Sequence, residues 1–390
     1  RASTATRINS QGLIETVATG VPRLDYSNGD CPSLLLEPQS TNLVTYSEDF
    51  SDSSWSKTGS SIESNLNTNP FGTQNSIIIK GSNASSRHNI VFSGNADVTG
   101  SFSLFVKSKE LKYFQIASVN SANQYVNFDA ENGVIGNIGS NFSNAKIENY
   151  GNGWYRFSVV SVNRYNSFYI SLISGLTSGW LESWTMPNNT DGLYIFGAQL
   201  EQNSYATSYI PTLTGTTQTR VSETSYIPTA GTTQTRVAET CGGAGDASSI
   251  NSEEGVLYYE GSGLVNGGEN RNITISGGNS NYVRIYYSTT SSQVTYLVVS
   301  NGSVVANIAA NGINQEDIRK IAVSWKLNEF KFYNNGVLVG TDTSGISPIG
   351  LNVLRFSEPN GSNSFYGNTK DLRVYSTALT DLELAALTTL

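Results

Sequence analysis

The chain has 390 residues, of which only 14% are charged, and it carries a net charge of −8. This length suits two domains of ordinary size. The sequence contains no basic stripe and no apolar run long enough to span a bilayer, so neither nucleic acid nor a membrane is an expected partner.

Serine, threonine, asparagine and glycine replace the missing charged residues, and the chain adds 21 Tyr and 15 Phe. Threonine, tyrosine, valine and isoleucine favour strands, whereas glycine, asparagine and serine favour turns. The composition therefore predicts an all-β protein with many short strands and little helix.

The first two segments have strand patterns of different regularity. Residues 1–40 hold alternating stretches such as TATRINSQGLIETV and CPSLLLEPQ, and we expect them to pair as strands with the first sandwich. Residues 41–212 hold a steady series that includes SIIIKG, FSLFVKS, WYRFSVVSV and GLYIFGAQLE. Short β-branched and aromatic runs between turn residues predict a β-sandwich or jelly roll.

Residues 213–249 are a linker with a duplication and a glycine-rich hinge. The phrase SYIPT…GTTQTRV, which begins at Ser208, is repeated from Ser225. Its T-x-T-R-(I/V) part also occurs at residues 4–8, so we expect one copy to be a closing strand beside the N-terminal strand. The other copy is an extra strand or spacer, or a duplication without a selected role, and both interpretations stay open.

Residues 250–390 begin a second strand series, which includes GVLYYEG, YVRIYYS and IRKIAVSWK, and end in a helix. Thr380 and Glu383 have the spacing of a capping box. The predicted fold is therefore two tandem β-sandwich or jelly-roll domains with a short C-terminal helix.

Catalytic and metal-binding patterns are missing from the sequence. His88 is the single histidine, and no G-x-S-x-G motif accompanies it. Cys31 and Cys241 fit no metal or redox spacing, and we expect them to lie close together, either as thiols or as a disulfide. No E-x-D run supplies paired carboxylates, so we expect no enzyme activity, although carboxylates from separate strands could still converge.

Sugar binding requires aromatic faces and polar side chains, and two places offer them. Trp180 and Trp184 lie in the loop-like segment SGLTSGWLESWTMPNNTDG, where a core or subunit-contact role is equally open. Tyr282, Arg284 and Tyr286 alternate along one strand, which an ordinary sheet surface would also explain.

The other aromatic and acidic candidates have more ordinary explanations. Trp154 and Trp325 lie within strands typical of a core. No cofactor is predicted beyond a structural calcium ion, for which four turn residues could supply oxygen ligands without any spacing that defines a site: Glu48, Asp49, Asp191 and Asp342.

Two stretches near the C-terminus resemble a known family. RKIAVSWKLNEFKFYNNGVLVGTDTS and GNTKDLRVYSTALTDLELAALTT are similar to laminin-G-like, concanavalin A-like jelly-roll domains. The marks of the resemblance are the central tryptophan strand, the hairpin YNNGVLV and the closing strand with D-x-R-x-Y. The resemblance covers residues 250–390 and implies a lectin-like β-sandwich.

Residues 1–240 resemble a carbohydrate-binding-like jelly roll common in the fibres and spikes of bacteriophage virions. The matching stretches include ATRINSQGLIETV, CPSLLLEPQSTNLVTYSEDFS and GAQLEQNSYATSYIPT, and the closing TRV occurs here twice rather than once.

The resemblance implies a non-enzymatic virion protein, trimeric and located on the virion surface or outside the cell. It would contact other virion proteins and bind host-surface glycan for attachment. The alternatives are a secreted or surface bacterial adhesin and, less favoured, a polysaccharide depolymerase.

Overall fold

A computed structural model describes residues 5–19, 21–27, 29–118, 124–161, 165–212, 234–236 and 242–390. Within these residues the protein consists of antiparallel β-sheets and one short helix, which confirms the predicted fold class. The chain divides into an N-terminal unit, residues 2–21 and 39–237, and a C-terminal unit, residues 22–38 and 238–390 with residue 1.

The N-terminal unit is a sandwich of two six-stranded sheets with orders β14-β15-β10-β17-β8-β7 and β13-β12-β11-β16-β9-β6, and it has two smaller two-stranded sheets, β1-β2 and β18-β5. Its strands are β1 (Ala5–Ile8), β2 (Ile14–Val17), β5 (Ser40–Asn42), β6 (Trp55–Thr58), β7 (Ser60–Thr68), β8 (Gln74–Gly81), β9 (His88–Val98), β10 (Ser101–Ser108), β11 (Tyr113–Ser118), β12 (Tyr125–Asp129), β13 (Val134–Ile138), β14 (Phe142–Asn149), β15 (Trp154–Ser161), β16 (Tyr165–Leu172), β17 (Gly192–Glu201) and β18 (Gln234–Arg236).

The C-terminal unit is a sandwich of a six-stranded sheet with order β19-β28-β21-β22-β23-β24 and a seven-stranded sheet with order β27-β26-β25-β20-β29-β4-β3. Its elements are β3 (Leu24–Asp25), β4 (Ser33–Leu36), β19 (Gly242–Ala244), β20 (Glu254–Gly263), β21 (Arg271–Ser276), β22 (Tyr282–Tyr287), β23 (Gln293–Ser300), β24 (Ser303–Asn311), β25 (Arg319–Lys326), β26 (Glu329–Asn334), β27 (Val337–Asp342), β28 (Val353–Arg355), β29 (Gly367–Tyr375) and α1 (Asp381–Thr388).

Each sandwich has its own core of aromatic and branched aliphatic side chains. In the N-terminal unit, Phe102 and Phe168 stack with ring centroids 4.8 Å apart, and Trp154 is 1% exposed. In the C-terminal unit, Trp325 is fully buried. Both tryptophans therefore have the packing role that their strand positions predicted.

Asparagine–glycine pairs form two hairpins of the C-terminal unit, one of which is the predicted hairpin YNNGVLV. Asn335 and Gly336 connect β26 to β27 with φ angles of 48° and 80°. Two consecutive positive φ values are those of a type I′ turn, whose twist matches that of the flanking strands. Asn301 and Gly302 connect β23 to β24 in the same way, with φ angles of 51° and 79°.

The N-terminal forty residues differ from the expectation that they pair with the first sandwich. Strands β1 and β2 belong to the N-terminal unit, but β3 and β4 lie in the seven-stranded sheet of the C-terminal unit. Strand β4 pairs with β29, with Leu36 opposite Gly367. Leu36 is buried in that core, which gives the short strand CPSLLL an apolar reason to pair there.

The first SYIPT copy is fixed by hydrogen bonds within the N-terminal unit. The Thr212 hydroxyl donates to the carbonyl of Val44 at 2.7 Å and accepts the amide of Ser47 at 2.9 Å. The Ile210 amide donates to the Gln199 side chain at 2.6 Å, and its carbonyl accepts from Asn42 at 2.8 Å. This segment is therefore held by buried hydrogen bonds that involve side chains rather than by the backbone hydrogen bonds of a β-sheet.

The second copy supplies β18, which pairs antiparallel with β5, Gln234 opposite Asn42. Its partner is thus β5 and not β1, the N-terminal T-x-T-R strand, which pairs with β2. The corresponding strand of the first copy, residues 217–221, lies outside the described residues. So does Cys241, and its predicted proximity to the exposed Cys31 therefore stays a prediction.

Candidate functional site

The backbone at Trp184 is held by a short bridge to the segment before β9. The Trp184 amide donates to the carbonyl of Ser86 at 3.1 Å, and the Ser86 amide donates back at 3.3 Å. The indole N–H donates to the carbonyl of Leu172 at 3.1 Å, and the ring packs partly buried against the core. Trp184 is therefore a fixed side chain with one accessible portion.

His88 lies beneath this segment. Its ring is fully buried, with Nδ1 2.7 Å from the Gly59 carbonyl and Nε2 2.9 Å from the Trp184 carbonyl. Residue 59 is glycine because a Cβ there would lie 2.2 Å from the Arg87 carbonyl oxygen. The single histidine of the chain thus positions the Trp184 segment, as its location in a strand suggested.

Trp180 has a different environment from Trp184. Its indole N–H donates to the Ser118 carbonyl at 3.0 Å, and the guanidinium of Arg87 lies over the ring at 5.1 Å from the centroid. Arg87 thus covers one face of the Trp180 ring, and Trp180 does not line the groove that Trp184 lines. The two tryptophans of the predicted site are therefore not equivalent.

Trp184 lines an open groove of about 450 Å³ in the N-terminal unit. Residues 108–113, which connect β10 to β11, form one wall and include Tyr113. Ile173, Ser174 and Pro187 lie on the other side with Trp184, and Glu131 completes the lining. The groove therefore combines two aromatic side chains with charged and hydroxyl groups.

The charged groups of the groove are paired with one another. Lys109 forms an ion pair with Glu110, and the Lys112 amine lies 3.0 Å from a Glu131 carboxylate oxygen and 5.2 Å from the Tyr113 ring centroid. Burial acts to raise the pKa of Glu110, but hydrogen bonds from Lys109 and from backbone amides outweigh it and leave the pKa below its usual value. The groove is thus polar without an excess of either charge.

The second predicted site lies on the outer face of the six-stranded sheet of the C-terminal unit. The Arg284 guanidinium lies 4.7 Å from the ring centroid of Tyr286 and 5.5 Å from that of Tyr282. Arg284 also forms an ion pair of 2.7 Å with Glu358. The structure therefore brings these three strand residues together as one aromatic–cation cluster.

Sequence reasoning did not identify several residues beside these sites. Tyr113, Lys112 and Glu131 face Trp184 from a different pair of strands, and Arg355 lies two strands from Arg284. The only signal in the sequence was the adjacent pair Lys112 and Tyr113 at the start of β11. This pair did not indicate that Trp184 lines the same groove.

The four acidic candidates for calcium are engaged in local hydrogen bonds. Glu48 accepts from the Tyr209 hydroxyl at 3.0 Å, Asp49 and Asp342 accept from the amides of residues 51 and 344, and Asp191 accepts from Asn188. Among the residues described by the structure, no three histidine, cysteine or acidic side chains form a metal-binding group. The calcium ion therefore stays a prediction.

No helix within the described residues is both long and apolar enough to cross a membrane.

The chain has only distant similarity to the solved structures named here, with low identities and TM-scores. The comparison with curated proteins finds no match. Among solved structures, CBM40 of the Ruminococcus gnavus IT-sialidase is 16% identical with a TM-score of 0.32, covering 38% of this chain and 93% of that one. Domains LG4-5 of the mouse laminin alpha1 chain are 11% identical with a TM-score of 0.27, covering 77% and 90%. These scores are too low to carry an argument about function.

Residues 264–385 match the family model described as the concanavalin A-like lectin/glucanases superfamily. The match lies within the stretch that resembled this family in sequence, and its boundaries include most of the C-terminal sandwich. The C-terminal unit therefore contains a lectin-like β-sandwich.

Proposed function

We propose that the chain is a non-enzymatic glycan-binding protein, a fibre or spike component of a virion that attaches to host-surface carbohydrate. The observation that carries glycan binding is the groove beside Trp184, where two aromatic rings adjoin internally paired charges. Such a surface suits a ligand with many hydroxyls and little charge. The resemblance of residues 1–240 to bacteriophage fibre domains supports the virion location.

The expected affinity of one groove is low. Sugar sites gain much of their binding energy from stacking on aromatic rings, because water competes for the sugar hydroxyls. With each good contact contributing on the order of 1 kcal/mol, one site would bind in roughly the millimolar range. A trimeric fibre would place three such sites on one particle component and increase the avidity.

The direct test compares two tryptophans from the same loop. Trp184→Ala and Tyr113→Ala should each weaken glycan binding about fivefold, because each removes one aromatic contact. Trp180→Ala is the matched control, because Trp180 lies in the same loop but does not line the groove, and it should bind as the wild type does. Binding is measured by NMR titration with oligosaccharides from host-surface polysaccharide.

Folding must be verified in these variants because Trp184 also packs against the core. Tyr113→Ala provides a second measurement at a half-buried position. If both groove variants fold and bind glycan as the wild type does, the groove is not the glycan site.

Hydrolysis is the second candidate function, because Glu110 and Glu131 line the same groove. A glycosidase requires a general acid whose pKa is raised, whereas the pKa of Glu110 is lowered. Both carboxylates also form ion pairs with lysine. We therefore expect no new reducing ends when host polysaccharide is incubated with the protein, and their release would support a depolymerase instead.

A further inference from the structure

Two arginines flank one threonine on the outer face of the six-stranded sheet in the C-terminal unit. Thr274 on β21 is paired with Arg284 on β22 and with Arg355 on β28. Directly opposed residues of neighbouring strands point to the same side, and Ile273 and Ile275 occupy the core side. We call the surface formed by Asn272, Thr274, Tyr282, Arg284 and Arg355 the Arg355 face.

The two arginines differ in their charge partners. Arg284 forms an ion pair with Glu358 and lies between two tyrosine rings. The Arg355 side chain forms no hydrogen bond or ion pair with any residue that the structure describes, and its buried Nε has no hydrogen-bond partner. A guanidinium is a planar group that binds a carboxylate through two parallel hydrogen bonds. Arg355 is therefore available for an anion.

Two buried oxygens beside the arginines also have no partner. The side chains of Thr274 and Asn272 are completely buried, yet Thr274 Oγ1 and Asn272 Oδ1 accept or donate no hydrogen bond within the described chain. Buried polar atoms are nearly always hydrogen-bonded. The complete burial of these two side chains means that a ligand on the sheet surface does not contact them directly, so Arg355 carries the recognition.

The strand next to Arg355 leaves its side open. Gly242 on the exposed strand β19 is paired with Arg355, and a Cβ at this position would lie 3.5 Å from Arg355 Cγ. Glycine has no side chain that could cover the guanidinium. Among the residues that the structure describes, strand β19 therefore places no side chain opposite Arg355.

We propose that the Arg355 face binds the carboxylate of an acidic sugar, a uronic or sialic acid unit. This inference rests on the proposed glycan-binding function and narrows its ligand class for the C-terminal unit. Arg355 receives the carboxylate, and Tyr282 covers the apolar side of the sugar. The charge of Arg284 is already balanced by Glu358, and its guanidinium packs against the rings of Tyr282 and Tyr286.

The test uses pairs of probes that differ in charge. The intact chain is titrated with hexagalacturonate and its fully methyl-esterified form, and with 3′-sialyllactose and lactose. The wild type should bind the acidic member of at least one pair about tenfold more tightly, which is the effect of one charged hydrogen-bonding contact. Arg355→Gln should abolish this preference and leave the affinity for the neutral member unchanged.

Two further variants separate a site from a general effect of charge. Arg373→Gln removes the same charge from the other sheet, where Arg373 pairs with Asp371, and it should leave the preference intact. Glu358→Gln removes the carboxylate from the neighbourhood of the Arg355 face and should strengthen binding of the acidic probe. This second variant leaves Arg355 unchanged and keeps the test valid if Arg355→Gln fails to fold.

The remaining outcomes contradict the inference, and they show whether the proposed glycan binding fails with it. Equal binding of acidic and neutral probes, or equal losses in Arg355→Gln and Arg373→Gln, would contradict the acidic ligand class while glycan binding stands. Binding of none of the four probes, together with no binding of host polysaccharide, would overturn both this inference and the proposed function.

Discussion

His88 shows how one buried side chain determines the position of a candidate binding residue. Its two ring nitrogens lie within hydrogen-bonding distance of carbonyls from two separate segments, those of Gly59 and Trp184. The imidazole therefore connects the loop that carries Trp184 to the edge of the sheet. No other histidine is available in the sequence to take this role.

We predict that His88→Leu destabilises the N-terminal unit by about 1 kcal/mol, because it removes the buried hydrogen bonding of the ring to the Gly59 and Trp184 carbonyls, which keep only their backbone donors. The measurement is the free energy of unfolding from denaturant titration, followed by tryptophan fluorescence. A change within about 0.5 kcal/mol, which is usual for an exposed position, would show that the contacts at His88 are unimportant.

The sequence predicts some of these residues and not others, for a physical reason. Trp154 and Trp325 were assigned to the core because alternation along a strand reports which side chains face inward. Tyr113 and Arg355 were missed because their roles depend on neighbours in other strands, and strand pairing over long sequence distances leaves no local pattern. Trp180 was a candidate for sugar stacking, since nothing local indicates that the Arg87 guanidinium lies over its ring.

At the scale of elements, helix α1 is the clearest local prediction. Thr380 Oγ1 accepts from the Glu383 amide at 3.4 Å, and the Thr380 amide donates to the Glu383 carboxylate at 2.8 Å, so the capping box is confirmed. Leu384 is buried, whereas Leu382 is 84% exposed. A helix this short buries one narrow stripe, which is formed by Leu384 and Thr388.

We predict that helix α1 loses stability in acid. The hydrogen bond from Thr380 lowers the pKa of Glu383 below its usual 4.5. A lowered carboxyl pKa means that the stabilisation is complete above the unfolded value and is lost as pH falls through the folded value. Amide exchange within residues 382–388 should therefore accelerate, relative to the intrinsic rate, as pH falls below 4.5.

Glu383→Gln provides the control for this pH dependence, because glutamine can replace the capping contact without titrating. The contribution of residue 383 to the acid-induced change should disappear in this variant. An identical pH profile in both proteins would assign the loss of protection to another group.

The duplicated segment also permits a specific prediction. The described contacts use residues 208–212 of the first copy and β18 of the second. Thr212 bonds Val44, and Gln234 lies opposite Asn42, only two residues away. Deletion of residues 213–229 would leave four residues between Thr212 and Gln234, which reach roughly 15 Å when extended.

We therefore expect the deletion variant to fold with the thermal stability of the wild type, as measured by circular dichroism. Deletion of residues 208–224 would give the same sequence, because residues 225–229 repeat residues 208–212, so this one variant tests whether a single copy suffices. Unfolding of this variant would show that a single copy of the segment is not sufficient for the fold.

At the scale of the whole molecule, the number and class of the sandwiches could be predicted, but the path of the chain between them could not. Strand length and turn residues indicate β-sandwiches wherever they occur. The pairing of β4 with β29 joins residues more than 300 positions apart in sequence, Leu36 and Gly367. Short strands such as CPSLLL can add to many sheet edges, and the buried position of Leu36 determines which edge is used.

We predict that the protein forms a homotrimer in solution, as fibre components of the resembled family do. Its low charge and many tyrosine, threonine and asparagine side chains suit polar contacts between copies. Light scattering should give three times the 42.0 kDa of one chain. A mass of one chain at all concentrations would contradict this prediction, although glycan binding by each unit would be unaffected.

The central claim is that these sandwiches bind host glycan without cleaving it. The most direct measurement is an equilibrium titration of the intact protein with polysaccharide purified from host cells, with reducing ends measured in the same samples. We predict saturable binding without an increase in reducing ends. Trp184→Ala should weaken this binding, and Trp180→Ala should leave it unchanged. Absence of binding, or a steady release of reducing ends, would contradict the account.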